Sequence, residues 1–314
     1  MANTPSAEAK TGWALVSAPA VYVLLMLAAP LLLVFGLSFA GLEDGSKVSL
    51  PLADGQVEQL GFTLSNYGKL FCWSVSESCS STDVRMAQAT ANAMGRALMV
   101  AGFVTLTTVL LAYPVAYYVS FHVQPSKKAL WLFLITIPFW TSYVIRVALW
   151  RTILGYDGAV DAALSGLGII DGQLNVLQYG TLSIIITLSH AYAPFAVLPI
   201  FVALEKVDRS LLEAGQDLGE SRWTTFLRVT LPLTMSGVVA AVLIVFIPTV
   251  GDYVTPELIG SGKVPMIANF IETQMWKLRN QAMGSTLAVS SMLIVAIIAT
   301  LFVLANRRYL GARK

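Results

Sequence analysis

Six stretches of this chain are apolar over the length of a membrane span: about Trp13–Leu37, Ala93–Val119, Ala129–Leu154, Tyr179–Leu204, Leu233–Tyr253 and Ser285–Ala305. A helix of about 20 apolar residues crosses the hydrocarbon layer with every backbone N–H and C=O satisfied internally, which lipid demands because it supplies no water. Composition agrees. Of 314 residues 56% are hydrophobic and only 12% charged, where a soluble domain carries about a quarter charged. The expected fold class is an all-α integral membrane protein with six transmembrane helices, and the lipid bilayer is its first partner. The opening stretch is too long for a signal-peptide core and has no small-residue cleavage site, so it reads as a retained span that tolerates Pro19 and Pro30. A net charge of +2 gives no reason to expect nucleic acid or an acidic substrate.

Residues 1–12 are polar, and Lys10 stands just before the first span. From Gly41 to about Ala91 the chain is polar and rich in Gly, Ser, Asp and Pro, an expected extramembrane loop. It holds both cysteines, Cys72 and Cys79. In an oxidising periplasm they would close a small ring, the favoured reading; two free thiols are the alternative. Tyr113, Tyr117 and Tyr118 cluster at one end of the second span, as rings at the membrane interface do. His122 falls in the following turn, where solvation is expected. The third and fourth spans are joined by residues 155–178, in which AVDAALSGLGII has the pattern of a short surface helix.

Orientation follows from Lys and Arg. With the N-terminus inside, the cytoplasmic pieces hold Lys10, Lys127, Lys128, Lys206, Arg209, Arg222, Arg228, Arg307, Arg308, Arg313 and Lys314. The opposite side holds Lys47, Lys69, Arg85, Arg151, Lys263, Lys277 and Arg279 over a greater length of chain. Cationic residues favour the cytoplasmic side. Arg96 and Arg146 fall inside the spans, and assigning both to the outer side leaves it the sparser one. Both termini are therefore expected in the cytoplasm.

Residues 210–232, SLLEAGQDLGESRWTTFLRVTLP, form the longest polar, charge-bearing segment of the second half. Ser210 with Glu213 reads as a capping box, and Gly219 as a left-handed stop. Ser221 then caps a second helix with Trp223, Phe226 and Leu227 on one side, expected to end by Thr230 as Pro232 approaches. Glu213, Ala214, Gly219, Val229, Leu231 and Pro232 resemble the EAA signature of integral-membrane permeases of bacterial ABC importers. Gly215 departs from its third small residue and Val229 from its isoleucine. The resemblance implies a type I ABC importer transmembrane domain whose cytoplasmic coupling helix docks into a groove of an ATP-hydrolysing subunit. Ser210, Glu213, Ala214, Gly215, Asp217, Gly219, Phe226, Leu231 and Pro232 would be the ATPase-coupling residues. Without the resemblance, an interfacial amphipathic helix joining two spans fits the same pattern.

Two further segments, PFWTSYVIRVALW from Pro138 to Trp150 and GDYVTPE from Gly251 to Glu257, resemble spermidine/putrescine importer permeases. The likeness is distributed from about Asn92 to the end; Ala148 stands where an aromatic would be expected, and the cysteine-bearing loop is a local elaboration. Relatives with these motifs carry opines and other small organic amino compounds, so the substrate reading is either a polyamine or one of those. Tyr143, Arg146, Trp150, His190, Asp252, Tyr253 and Glu257 are the candidates for the translocation path. Asp252 and Glu257 lie where the fifth span meets the outside, and Tyr143, Trp150 and Tyr253 could offer ring faces to an ammonium group. Asp252 reads equally as a cap or as the partner of Arg146, and the aromatics as an interface belt. A bare Arg146 would repel a cation, so it is expected to pair with a carboxylate. His190, mid-span, either lines the path or hydrogen-bonds a neighbouring helix. Glu257 is an alternative contact for an external binding protein.

The chain itself has no phosphate-binding loop. Gly260, Ser261, Gly262 and Lys263 lack the first glycine at the required spacing, and Val264 stands where Ser or Thr would hold magnesium. No metal-ligand set is expected: the two histidines, His122 and His190, have no second ligand at helical spacing. No catalytic residue and no cofactor is expected here; ATP and Mg would be bound by the partner ATPase. An ion-coupled secondary transporter would need a mid-span acid, and a membrane enzyme a nucleophile with its base; neither pattern occurs. The implied partners are an ABC ATPase dimer, a second homologous permease and a periplasmic substrate-binding protein, in a bacterial inner membrane. The expected division is 1–91 for the tail, first helix and periplasmic loop, 92–306 for the transmembrane domain, and 307–314 for a basic cytoplasmic tail.

Overall fold

The structure, a computed structural model, describes residues 7–41, 61–76, 79–170, 175–260 and 262–310. The polar residues before Ala7, Lys47 with the loop around it, Ser261, Arg313 and Lys314 lie outside them. In chain order the elements are α1 (Ala7–Ser38), β1 (Ala40–Gly41), β2 (Gly61–Phe62), α2 (Ser65–Lys69), α3 (Ser81–Phe121), α4 (Pro125–Thr136), α5 (Tyr143–Leu154), α6 (Ala159–Gly166), α7 (Thr181–Leu204), α8 (Arg209–Asp217) and α9 (Arg222–Thr225). There follow α10 (Leu231–Val250), α11 (Val254–Leu258), α12 (Ile267–Glu272), α13 (Gln281–Ala305) and α14 (Arg307–Leu310). Among the described residues five helices are long and apolar enough to cross a membrane. A sixth span exists only as a broken pair, Pro125–Trp140 and Tyr143–Gly166, bent by 85°.

That break corrects the expectation of an unbroken helix from Ala129 to Leu154. Pro138 has no N–H to give to the preceding turn, and its ring crowds the carbonyl there. The chain tightens into a 3-10 turn over Ile137–Trp140, and then runs extended through Thr141 (ψ 150°) and Ser142 (ψ 138°) before α5 begins. Pro19 and Pro30 leave α1 unbroken, and Pro194 and Pro199 leave α7 unbroken.

Two compact units emerge, residues 1–87 with 271–290 and residues 88–270 with 291–314. In the first, α1 presents exposed leucines all round, including Leu24, Leu27 and Leu32, as a lipid-facing helix does. Its last turn is tied down: the hydroxyl of Tyr67 donates to Ser38 Oγ at 2.7 Å, and Asn66 Nδ2 to the carbonyl of Ala40 at 3.0 Å. β1 and β2 pair antiparallel, Ala40 opposite Phe62. Cys72 and Cys79 are joined in a disulfide, across a turn in which Ser76 and Cys79 exchange both backbone hydrogen bonds. Beyond it α3 starts twelve residues ahead of the expected span. Ser80 and Asp83 cap it reciprocally, Asp83 N–H donating to Ser80 Oγ at 3.2 Å and Ser80 N–H to Asp83 Oδ2 at 3.1 Å, which is the capping box in its acidic form.

In the second unit α10 lies along α7. A Cβ at Gly237 would sit 2.5 Å from both the Cβ of Ala203 and the carbonyl oxygen of Pro199, so the small residue sets how closely the backbones approach. Ile184, Leu188, Ile200 and Leu204 of α7 and Val100 and Val104 of α3 are fully buried. Arg96, inside α3, donates to the carbonyl of Pro265 at 2.8 Å. The AVDAALSG pattern forms α6 as expected.

Gly237→Leu should lower the thermal unfolding midpoint of the purified protein in detergent by an amount matching an overpacking penalty of about 1–3 kcal/mol. Gly102→Leu, whose Cβ would meet nothing within 4 Å, should leave it unchanged; equal effects would mean that the α7–α10 approach is not tight.

Candidate functional site

Residues 208–232 fold into two short helices with a glycine hinge. Asp208 caps α8, its Oδ1 accepting the Ser210 N–H at 3.0 Å. The expected Ser210–Glu213 box is therefore corrected: Ser210 is already helical, because a carboxylate two residues earlier accepts the free N–H more strongly and suits the positive helix end. The hydrogen bonds from Ser210 hold the Asp208 carboxyl below its ordinary value. At the other end Gly219 has φ +83°. Its N–H reaches Gln216 O at 2.9 Å and the Glu220 N–H reaches Gly215 O at 3.1 Å, the paired bonds of a Schellman stop. Ser221 caps α9 by accepting the Thr224 N–H at 3.2 Å. Gly215 is where the two helices meet. A Cβ there would lie 3.2 Å from the Thr225 methyl, so glycine relieves the crowding that an alanine would create here.

The second helix does not stop at Thr230. Arg222–Val250 is one continuous span, with a π turn over Phe226–Thr230 in which the Leu231 N–H reaches back to Phe226 O. The wider turn takes up the irregularity ahead of Pro232, which sits in the first turn of α10 where its missing N–H is no loss. Glu213, Ala214, Asp217, Gly219 and Pro232 are exposed, and Gly215, Phe226 and Leu231 half-buried. Leu218 is 85% exposed, and Leu211 and Trp223 also face outward.

The segment is seated on the end of α3. Phe226 meets Tyr113 at 5.5 Å and Tyr117 at 5.9 Å, both edge-on, and stacks on Trp223 at 5.4 Å. Tyr113 is buried and its hydroxyl lies 2.8 Å from Thr234 Oγ1 of α10. The tyrosine cluster is thus not a uniform interface belt: only Tyr118 is exposed, stacked on His122 at 5.6 Å. Ser120 Oγ donates to Glu205 Oε1 at 2.5 Å, Lys128 Nζ to the same oxygen at 2.6 Å, and Arg209 Nη2 to the carbonyl of Ser120 at 3.3 Å. Burial would raise the Glu205 carboxyl, but the hydrogen bonds from Lys128 and Ser120 outweigh it and hold it below its ordinary value.

The second constellation gathers at the break before α5. Asp252, 7% exposed, caps α11: its Oδ1 accepts the N–H groups of Val254 at 3.0 Å and Thr255 at 3.4 Å. Its Oδ2 accepts the Tyr143 hydroxyl at 2.9 Å, which also lies 2.8 Å from Thr255 Oγ1. Arg146, also 7% exposed, donates to two backbone carbonyls, Thr141 at 3.1 Å and Ala191 at 3.2 Å. Its expected carboxylate partner is absent among the described residues. Thr141 is the residue at which Pro138 breaks the span, so its carbonyl has lost its helical donor, and the guanidinium replaces it. Among the described residues Nε of Arg146 has no hydrogen-bond partner. Trp150 Nε1 donates to His190 Nδ1 at 3.1 Å with the rings edge-on at 5.2 Å. Tyr253 and Glu257 are exposed, and the Tyr253 carbonyl accepts from Asn269 Nδ2 at 3.0 Å.

Sequence reasoning passed over Thr255, Asn269 and Glu205. A D-x-x-T spacing from Asp252 was the available signal for the first; nothing local marks the other two. No group of three or more His, Cys, Asp or Glu suited to a metal occurs among the described residues.

A family model described as "Binding-protein-dependent transport system inner membrane component" matches residues 102–310. The chain is 33% identical over 217 residues to the spermidine/putrescine transport system permease protein PotB of Haemophilus influenzae, covering 69% of this chain and 75% of that one. It is 30% identical over 286 residues to PotB of Salmonella typhimurium, covering 91% and 90%. Among solved structures, a bacterial ABC transporter involved in the import of the acidic polysaccharide alginate superposes with a TM-score of 0.66 over 96% of this chain and 97% of that one, at 17% identity. That likeness is one of fold.

Asp252→Ala removes the α11 cap and leaves the half-buried Tyr143 hydroxyl only Thr255 Oγ1 as a partner, and should destabilise the purified protein by about 1–3 kcal/mol. Asp252→Asn keeps a capping oxygen and should lose less than half as much in thermal unfolding; equal losses would mean that the charge, not the cap, holds this corner.

Proposed function

The chain belongs to the family of binding-protein-dependent transport system inner membrane components, and we propose that it forms half of the path by which a polyamine, putrescine or spermidine, enters the cell. The family places it in the inner membrane as a multi-pass permease subunit of an ABC importer, not an enzyme. The observation that carries the substrate reading is the likeness to polyamine permeases across 91% of the chain. Residues 92–306 would be the working transmembrane domain, preceded by the N-terminal tail, first transmembrane helix and periplasmic loop of residues 1–91 and followed by the basic cytoplasmic tail 307–314.

In this reading a second, homologous permease completes the path, two ATPase subunits lie below and a periplasmic substrate-binding protein above. Both termini are cytoplasmic, supported by the surplus of Lys and Arg on that side. ATP and Mg are bound by the ATPase, and this chain needs no cofactor. The exposed knob of α8 and α9 supports the docking reading: Glu213, Ala214 and Asp217 of α8 and Leu218 at its end face outward, and Trp223 does so on α9 beyond the Gly219 stop. A rigid knob transmits a push that a loose loop would absorb. ATP-driven closure of the ATPases would draw the two knobs together and open the bundle outward. Asp252, with Tyr143 behind it, is the proposed cation-attracting group at the outer end of α10. Trp150, His190, Tyr253 and Glu257 are proposed to line or flank the route, while Arg146, held by backbone carbonyls, repairs the break at Thr141 and keeps its charge away from the cation.

Cells carrying the whole gene cluster should take up radiolabelled putrescine or spermidine in an ATP-dependent manner, and lose uptake when this chain is deleted. Glu213→Arg, or Gly219→Val, which forces a β-branched residue into a left-handed conformation at about 1–2 kcal/mol, should abolish it. Uptake of neither polyamine, with the ATPase still co-purifying, would discard the substrate and keep the architecture.

A further inference from the structure

We propose that Glu205 is a positioning residue for the coupling step, the latch that makes the coupling segment and the ends of three transmembrane helices move as one body. Glu205 is the residue at the C-terminus of α7, and its Oε1 receives both Ser120 Oγ of α3 at 2.5 Å and Lys128 Nζ of α4 at 2.6 Å. Ser120 in turn offers its carbonyl to Arg209, the first residue of α8, at 3.3 Å, and the same guanidinium stands over the Phe121 ring at 5.8 Å. The chain of contacts runs from α4 and α7 through α3 into the coupling segment without a gap.

Helix electrostatics gives the reason to see this as more than decoration. An anion at a helix C-terminus and a cation in a first turn both oppose their own helix dipoles. Glu205 is in the first situation, and Lys128, in the first turn of α4, and Arg209, opening α8, are in the second. None of the three stabilises the helix that carries it. Each is favourable only through its neighbours, Arg209 gaining the C-terminal carbonyl end of α3. Three residues that act against their own helices and toward one another are placed to join elements. Glu205 is 37% and Lys128 12% exposed in their side chains, and a partly exposed ion pair contributes little to stability, so the joint can be cut without unfolding the protein.

The inference rests on the docking reading of the coupling segment, and the experiment separates the two. The full transporter, this chain with its partner permease and ATPase, is purified and reconstituted in liposomes, and solute imported per ATP hydrolysed is measured for wild type, Glu205→Ala, Glu205→Gln and Lys128→Met. Glu205→Ala and Lys128→Met should assemble at wild-type yield and thermal midpoint, hydrolyse ATP within about twofold of wild type, and import on the order of tenfold less per ATP, the scale of a coupling free energy. Glu205→Gln, which still accepts from Ser120, should fall between. Glu272→Ala, which breaks an exposed ion pair to Lys277 elsewhere, should match wild type. An unchanged ratio, or hydrolysis and import falling together with assembly, would overturn the latch while sparing the docking reading. If the wild-type chain brings down no ATPase, the docking reading and the latch fail together.

Discussion

Hydrocarbon offers no hydrogen bonds, so each backbone group exposed by an irregularity in a span must find a partner within the protein. At several breaks among the described residues the partner is a polar side chain. Where Pro138 interrupts the third span, Arg146 donates to the stranded carbonyl of Thr141. Where α10 ends and the chain turns at Gly251, Asp252 takes the N–H groups that open α11. Asn269 accepts the Met266 N–H and donates to Tyr253 O, and Arg96 reaches Pro265 O. Arg146 and Asp252, both buried, are thus backbone caps first.

The same economy shapes residues 208–232. The two helices of this segment are too short to persist alone. It is held by terminal devices, Asp208 and Ser221 as caps and Gly219 as the stop, and by the last turns of α3, which present Tyr113 and Tyr117 to Phe226 and the Ser120 carbonyl to Arg209. Because α9 passes through a π turn into α10 without a break, half of the knob is an extension of a membrane span. Its other half, α8, is tied by Arg209 to the end of another. Motion of the knob is then motion of the spans.

Features set by local chemistry are legible in the sequence alone. The apolar runs locate the spans, Gly219 and Ser221 announce the turn between α8 and α9, and AVDAALSG announces α6. Errors arise where two local rules compete. Asp208 and Ser210 are both good caps, and the charged one wins. Pro232 argues for a stop, yet a proline in the first turn of a helix is harmless, and the π turn removes the remaining conflict. Pro138 lies inside a run that reads as one span, while Pro19, Pro30, Pro194 and Pro199 lie inside helices that stay whole; nothing in the composition around Pro138 distinguishes it from them.

The sequence by itself determined that the chain crosses a membrane, approximately where, and that one segment between spans is a rigid helical knob, because periodicity, caps and apolar length act over a few residues. Only the tertiary structure decided which polar groups meet. Arg146 paired with carbonyls 5 and 45 residues away, and Glu205 found Lys128 and Ser120 at separations of 77 and 85. Such pairings depend on how helices cross, and the crossing of α7 with α10 is set by side-chain volume at Gly237 and Ala203. A charge pattern along the chain carries no trace of that geometry.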